Sequence, residues 1–245
     1  MKKFYHLLVT RYELQVTSYK LQVERFKRFT SHLIPLTAYL FLFLPFSTFA
    51  QTPDPGCNCI KFDNLCWATC NVAEPGTFAA PTDTGWYYQW GVNVGWNPTT
   101  LEDSNGGTTW SSTSPPAGSP PNPDEWLITP CPAGWRLPTR LEFVDLVTYM
   151  ITNGTTLDKY GTLSGRFFDS GDPTQPLLFL VAAGSRRYND GRLENVGTNG
   201  DYWSSTQYST ATRAYNLDFT RNSVNPSNIS STKANGYTLR CVADL

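Results

Sequence analysis

An α+β fold held by disulfides is predicted from three observations: one short helix with a clear start, a series of short strand patterns after it, and long Pro-, Gly- and Asn-rich loops between them. The chain has 245 residues, with 18 Gly, 18 Pro and 14% aromatics, which suits one medium domain with appendages. The expected organisation is a leader over residues 1–50, a Cys-rich segment over 51–70 and a single domain over 71–245.

The leader comes first. Lys27 and Arg28 precede an apolar run from Leu33 to Phe46, and Thr48-Phe49-Ala50 forms a small-x-small site before Gln51, so export with cleavage after Ala50 is expected. Pro35, Pro45 and a run of about 14 residues suit a signal sequence and not a stable membrane span. The near-repeat YELQV at Tyr12 and YKLQV at Tyr19 reads as an overlong basic region or a misassigned start. Gln51 stands where a lipobox Cys would be needed, so no lipid anchor is expected. Residues 1–50 hold seven of the 19 Lys and Arg and two of the 20 Asp and Glu, so the exported part carries a net charge of −6. Such a surface repels phosphate, and nucleic acid is not an expected partner.

All six Cys fall in the exported part, and an even number in an oxidising compartment argues for disulfides. Cys57, Cys59, Cys66 and Cys70 lack the paired CxxC knuckles of a zinc site, although their mutual pairing is not readable beyond Cys57 and Cys59 not joining each other. By elimination Cys131 pairs with Cys241, closing a loop for which chain entropy supplies roughly 4 to 5 kcal/mol.

Residues 71–130 are aromatic and turn-rich. Trp86, Tyr87, Tyr88 and Trp90, ending in Gly91, suit a buried strand and turn, with an open aromatic face for sugar stacking as the rival reading. Residues 97–125, including SSTSPPAGSPPNPD, form an irregular surface loop. The helix is expected to start at Thr139: Pro138 blocks backward extension, and Thr139 with Glu142 makes a capping box. Leu141, Phe143, Val144, Leu146 and Val147 are read as its buried face. After it, Pro176–Gly184 is the candidate for the centre of a sheet, and Asp201–Thr206 is a further strand. Across Arg213–Thr220, Tyr215, Leu217 and Phe219 take one face while Ala214, Asn216, Asp218 and Thr220 take the other. Gly236–Val242 is the last strand, with Tyr237, Leu239 and Cys241 inward.

The ordered set CPAGWRLPTRLEF, AAGSRRYNDGRLENVGTNGDYWSST, AYNLDF and NGYTLRCV resembles the Fibrobacter succinogenes major paralogous domain, an exported family of the Bacteroidetes and Fibrobacter lineages; WATCNVAEPG and WYYQWG extend the likeness to about residues 65–243. That family is similar to the formylglycine-generating-enzyme-like branch of C-type-lectin folds. The resemblance implies a C-type-lectin-like domain whose first helix and last strand lie side by side, and it implies that Cys131 and Cys241 can meet.

The relatives' chemistry does not transfer. Sulfatase-modifying relatives use a late Cys pair where this chain has Cys241 alone, and both His, His6 and His32, precede the cleavage site. Ser-His-Asp, Cys-His and His-ligated metal sites are therefore excluded from the exported part. Asp169 with Asp172 and Asp190 with Glu194 remain as carboxylate pairs in Gly-rich turns. For calcium, lectins use a Pro-containing acidic triplet and a Trp-Asn-Asp; here Asn122-Pro123-Asp124 precedes the helix and Tyr188-Asn189-Asp190 lacks the Trp, so no cofactor is expected; Asp169, Asp172 and Asp190 could each give an oxygen ligand to Ca2+, against the simpler reading as solvated turn residues.

What remains is a polar-aromatic palette suited to a binding surface. The candidate ligand-binding residues are Tyr188, Asn189, Asp190, Arg192, Asn195, Tyr208 and Arg213, continuing with Asn216, Asp218, Arg221, Asn222, Asn225 and Asn228. The pattern resembles the variable proteins of diversity-generating retroelements, which use this fold. The expected function is an exported non-catalytic module that binds a glycan or protein ligand at the cell surface. The alternatives are a structural or adhesin-like component and an enzyme of unrecognised type. Intact-mass measurement of the exported protein is expected to find Gln51 as its first residue; a retained Leu33–Phe46 run would overturn the leader reading.

Overall fold

The computed structural model describes residues 57–62, 64–114, 126, 129–149, 157–170, 172, 174 and 176–245, all within one compact unit, Gln51–Leu245. The leader, most of the Pro-rich tract with Asn122-Pro123-Asp124, and Met150 lie outside the described residues.

The described helix, α1 (Arg140–Tyr149), opens one residue later than expected because Thr139 is its cap and not its first member. The Glu142 amide donates to Thr139 Oγ1 at 3.2 Å and the Thr139 amide donates to Glu142 Oε2 at 2.7 Å, the reciprocal pair of a capping box. Arg136 then grips the same carboxylate with two bonds of 2.9 and 2.7 Å. Although burial opposes it, the Arg136 guanidinium holds Glu142 below the usual carboxylate range. Phe143, Leu146 and Val147 are buried, but Leu141 is 63% exposed, because the 3.6-residue period sets position 141 nearly opposite position 143.

Fourteen strands make four small antiparallel sheets among the described residues. In the first, β1 (Cys59–Phe62) and β2 (Leu65–Asn71) are joined by β14 (Arg240–Asp244), in the order β1-β2-β14. A second, ordered β4-β3-β13-β8-β9, contains β3 (Tyr87–Gln89), β4 (Gly95–Trp96), β8 (Ser185–Arg186), β9 (Leu193–Glu194) and β13 (Gly236–Tyr237). The third is β5 (Asp158–Tyr160), β6 (Leu163–Phe168) and β7 (Leu178–Val181). The fourth is β10 (Gly200–Gln207), β11 (Ala214–Phe219) and β12 (Val224–Asn228). The C-terminal half is thus richer in strands than its four clearest sequence patterns indicate.

Three expectations are corrected here. Gly236–Val242 is two strands, not one: β13 pairs with β3 and β8, whereas β14 pairs with β2, so the chain changes sheets at Thr238–Leu239. The run before α1, and not α1 itself, flanks the last strand, through Arg136 and Val242 exchanging amide bonds of 2.9 and 2.8 Å. The helix packs on β10, β11 and β12, with Phe143 also 5.7 Å from the Trp67 ring of β2. Finally, β7 is buried on both faces but stands at the end of its sheet order, not the centre.

That edge is closed by side chains. Phe179 O accepts from Arg240 Nη2 at 3.0 Å, Val181 O from the Tyr202 hydroxyl at 2.9 Å and Ala183 O from the Tyr87 hydroxyl at 2.6 Å. Alternate carbonyls of an antiparallel strand point the same way, so these three donors face the side away from β6. Similar bonds join the other sheets: Trp203 Nε1 donates to Tyr88 O at 2.9 Å, Trp90 Nε1 to Ser204 O at 2.8 Å, and Gln89 Nε2 to Ala234 O at 2.8 Å. Tyr87, Tyr88 and Trp90 are therefore core, and the open stacking face once allowed for WYYQWG is ruled out for these three rings.

Three disulfides staple the domain: Cys57–Cys70 nested around Cys59–Cys66, and Cys131–Cys241 with 6.0 Å between Cα atoms. They fit an oxidising compartment and an exported chain. Among the described residues no helix is long and apolar enough to cross a membrane.

Tyr87→Phe and Tyr202→Phe are each expected to lower stability by about 1–3 kcal/mol in urea unfolding, since each leaves a buried carbonyl of the β7 edge without its donor. Wild-type stability in both variants would show that these hydroxyls do not hold the edge.

Candidate functional site

The predicted ligand-binding residues divide into separate groups. Tyr188, Asn189, Asp190 and Arg192 occupy the tip of the β8–β9 hairpin, with Asn195 just beyond it. Tyr188, Asn189, Arg192 and Asn195 are exposed there. Asp190 is an ion-pair hub: Arg187 bonds to it, Arg192 lies 3.6 Å away, and Glu194 is held by Arg187 at 3.3 Å. The Arg187 bond, with the Arg192 amide, draws the Asp190 carboxyl down to about 2. Asp172 caps a turn by accepting from the Thr174 amide at 2.9 Å.

A second group lies along β10–β12 and its turns. Tyr208 meets Tyr215 edge-on at 5.4 Å, and the Arg140 guanidinium lies 4.6 Å over the Tyr215 ring. Arg213, Arg221, Asn222 and Asn225 are exposed. Several of the Asn serve as turn caps: Asn225 Oδ1 accepts from the Ser227 amide at 3.0 Å, and Asn228 Oδ1 from the Ser230 amide at 3.0 Å.

Asn216 is a correction. It is fully buried at 0% exposure, and Ala214 beside it is as well, so the second face of β11 is covered at these two positions, while Asp218 and Thr220 further along it are half-buried. The cover is Trp203 from β10 with Tyr237 from β13 packed on it, ring centroids 4.2 Å apart. The strand alternation was legible, but not that the second face is packed over at Ala214 and Asn216.

The register sets Asp201 of β10 directly opposite Asp218 of β11 on that face. Burial, then the neighbouring Asp218, pushes the Asp201 carboxyl up to about 7, and burial also raises Asp218 against a bond from the Asn228 side chain. From β13 the Tyr237 hydroxyl faces the pair, itself held by Ser231 at 2.8 Å and Asn235 at 2.9 Å. No Lys or Arg contributes to the balance at Asp201. Sequence reading named Asp218 and missed Asp201, because only the β10–β11 register brings them together.

Sequence reading also missed a cleft of about 540 Å3 whose lining includes Trp86, Thr82, Asp83, Thr84, Thr99 and Val196. Trp86 is half-buried and packs against the Tyr88–Trp90 core, while Thr82, Asp83 and Thr99 are exposed on the rim. Local folding explains the rim: the Asp83 amide turns back to Ala80 O at 2.9 Å, and Asn97 Oδ1 caps the amides of Thr99 and Thr100 at 2.9 and 3.2 Å. Leu193 and Val196 also line it, from β9 and the residues just after the hairpin that carries Tyr188 and Arg192 at its tip. The signal for this site was Trp86 in WYYQWG, the one ring of the four that is not fully buried.

A family model described as a domain of unknown function (DUF8237) matches residues 164–242. No curated protein and no solved structure matches the chain. The matched stretch runs from β6 into β14; it takes in the hairpin tip and the Asp201–Asp218 pair but leaves out α1 and the Trp86 wall of the cleft.

Asp201 is raised in the folded state from an ordinary value of 3.8 to about 7, so the folded chain holds a proton that the unfolded chain releases. The stabilisation is complete below pH 4 and is lost as pH rises through 7. The thermal midpoint, measured in chelator, is therefore expected to fall between pH 5 and pH 8, and Asp201→Asn should flatten that fall. Lys233, lowered by burial to about 8, acts above this window, and Asp190 acts below it. An unchanged slope in Asp201→Asn would sink the assignment.

Proposed function

We propose that the chain is an exported, non-catalytic binding module with a C-type-lectin-like fold, and that a glycan occupies the cleft beside Trp86. The observation that carries this reading is the composition of the cleft: an indole wall already packed against the core, with Thr and Asp side chains around its rim. Sugars present apolar C–H faces and a fringe of hydroxyls, so a stacking ring with adjacent hydroxyl and carboxylate partners is the complementary chemistry. A ring held before binding loses little conformational freedom when the ligand arrives.

Two further features support the module. The nested disulfides and the Cys131–Cys241 link stiffen the loops that form the cleft, as an extracellular binder requires. The exposed Tyr188, Asn189, Arg192 and Asn195 adjoin the Leu193–Val196 wall, so a ligand longer than the cleft meets the polar-aromatic surface next. The lectin-like reading of the fold draws on the capped helix and on the pairing of the run before it with the last strand.

On a glycan array the full chain is expected to bind a limited set of saccharides. Trp86→Ala and Asp83→Ala should weaken that binding at least about tenfold. Mass spectrometry of the recovered glycan should find it uncut. Binding that survives both substitutions but is lost in Tyr188→Ala with Arg192→Ala would move the ligand to the hairpin tip and overturn the cleft assignment; a cleaved glycan would overturn the non-catalytic reading.

A further inference from the structure

We propose that Tyr160, on the β5–β6 hairpin, is a second stacking platform that extends the Trp86 cleft, so that the site takes an uncharged oligosaccharide lying across both rings. This rests on the glycan reading of the cleft, to which it adds a subsite and a ligand class.

Leu163 links the two rings' surroundings. It lines the cleft, and it is the direct partner of Tyr160 across the two-residue turn Gly161-Thr162. Directly opposed residues of an antiparallel pair leave the sheet on the same face, with Cβ atoms about 4.5–5.5 Å apart. Tyr160 therefore stands at the margin of the cleft that Leu163 forms.

The Tyr160 ring is held in place before any ligand arrives. Gly165 of β6 is overlain by the Phe179 ring so closely that a side chain there would collide with it. Tyr160 packs on that Phe179 ring with centroids 5.4 Å apart and meets Phe167 edge-on at 6.4 Å. Phe179 in turn shares one packed apolar cluster with Tyr87, Leu163 and Leu193, all three of which line the cleft. The same cluster thus supports both Tyr160 and part of the cleft lining. Even so, Tyr160 remains 44% exposed. Single exposed aromatics scattered over a surface mean little, but one continuous with a cleft marks a binding groove. A ring fixed by its neighbours, with one face open, suits the apolar C–H face of a sugar and loses little freedom on binding.

Charge selects the ligand class. Asp83 is the one charged residue among those that line the cleft, and it makes no ion pair among the described residues. On β5, Asp158 leaves the strand on the same side as Tyr160. The cations of the nearby hairpin are already engaged: Arg186 ends on the backbone oxygens of Asn97, Thr100 and Gly191, Arg187 is tied to Asp190 and Glu194, and Arg192 lies 3.6 Å from Asp190. A uronate or sulfated sugar would meet carboxylates along this groove and no free cation in its lining, whereas a neutral sugar meets rings, hydroxyls and hydrogen-bond acceptors.

The test is calorimetry of the full chain against ladders of glucose, mannose, xylose and N-acetylglucosamine oligosaccharides, from disaccharide to hexasaccharide, with a galacturonate ladder beside them. At least one neutral hexasaccharide is expected to bind about tenfold or more tightly than its disaccharide. Tyr160→Ala should reduce that ratio to about twofold or less, Tyr160→Phe should keep it, and Trp86→Ala should weaken both lengths. If Tyr160→Ala fails to fold, hydrogen exchange in the unsubstituted chain decides: amides 158–163 should be slowed by the hexasaccharide and not by the disaccharide. A length gain that survives Tyr160→Ala but is lost in Tyr188→Ala would set the long end on the β8–β9 hairpin and overturn the Tyr160 subsite while leaving the cleft intact. Tightest binding by galacturonate would overturn the ligand class, and no binding by any neutral ladder would overturn this proposal together with the glycan reading.

Discussion

The open edge of β7 is the constraint to which the rest of the structure answers. A strand with apolar residues on both faces belongs inside a protein, yet an edge strand carries a row of carbonyls that must not be buried without donors. Another strand would ordinarily supply them. Here side chains from three other strands do: Tyr87 from β3, Tyr202 from β10 and Arg240 from β14. Each of those residues is nearly or fully buried, so satisfying the edge also fixes where three sheets stand relative to the third. Arg240 extends the same device by donating to Ala68 O at 2.8 Å, which brings β2 into the arrangement. The domain is thus less a continuous sheet than several short ones joined by long polar side chains ending on backbone oxygens.

This mode of joining explains which features were legible in the sequence. The Thr139–Glu142 capping box needs only four consecutive residues, and the Cys131–Cys241 link was reached by counting. The burial of Tyr87, Tyr88 and Trp90 could be read from a run of apolar residues bounded by Gly91. The division of Gly236–Val242 could not, because the change of sheet depends on partners in β2, β3 and β8, none of them near in sequence. The same holds for Asn216, which alternation assigned correctly to the face opposite Leu217 but could not show to be covered by Trp203 and Tyr237.

The cleft and the Asp201–Asp218 pair both follow from how the sheets are joined. Trp86 stays half-open because its neighbours Tyr87, Tyr88 and Trp90 are drawn inward by their own bonds, leaving the first ring of the run at the margin. Gly95 lies so close to the Trp86 and Tyr88 rings that a side chain there would collide with both, which keeps the indole against the core. Asp201 and Asp218 face each other because Gly200, ahead of Asp201, is pressed under the Phe219 ring, a contact that only glycine permits and that keeps β10 in register with β11.

The placement of the three disulfides has a mechanical consequence. Tension applied between Cys57 and Leu245 would cross from Cys57 to Cys70 through one covalent bond and from Cys241 to Cys131 through another. The loaded path inside the domain is then the stretch from Cys70 to Cys131 together with the last residues, Cys241 to Leu245. The 110-residue interval closed by Cys131 and Cys241 lies outside it, so α1, the β10–β12 sheet and the hairpin tip bear no direct load. Under such tension the chain would extend through the segment that carries Trp86 before the strands from β5 to β13 took any direct load.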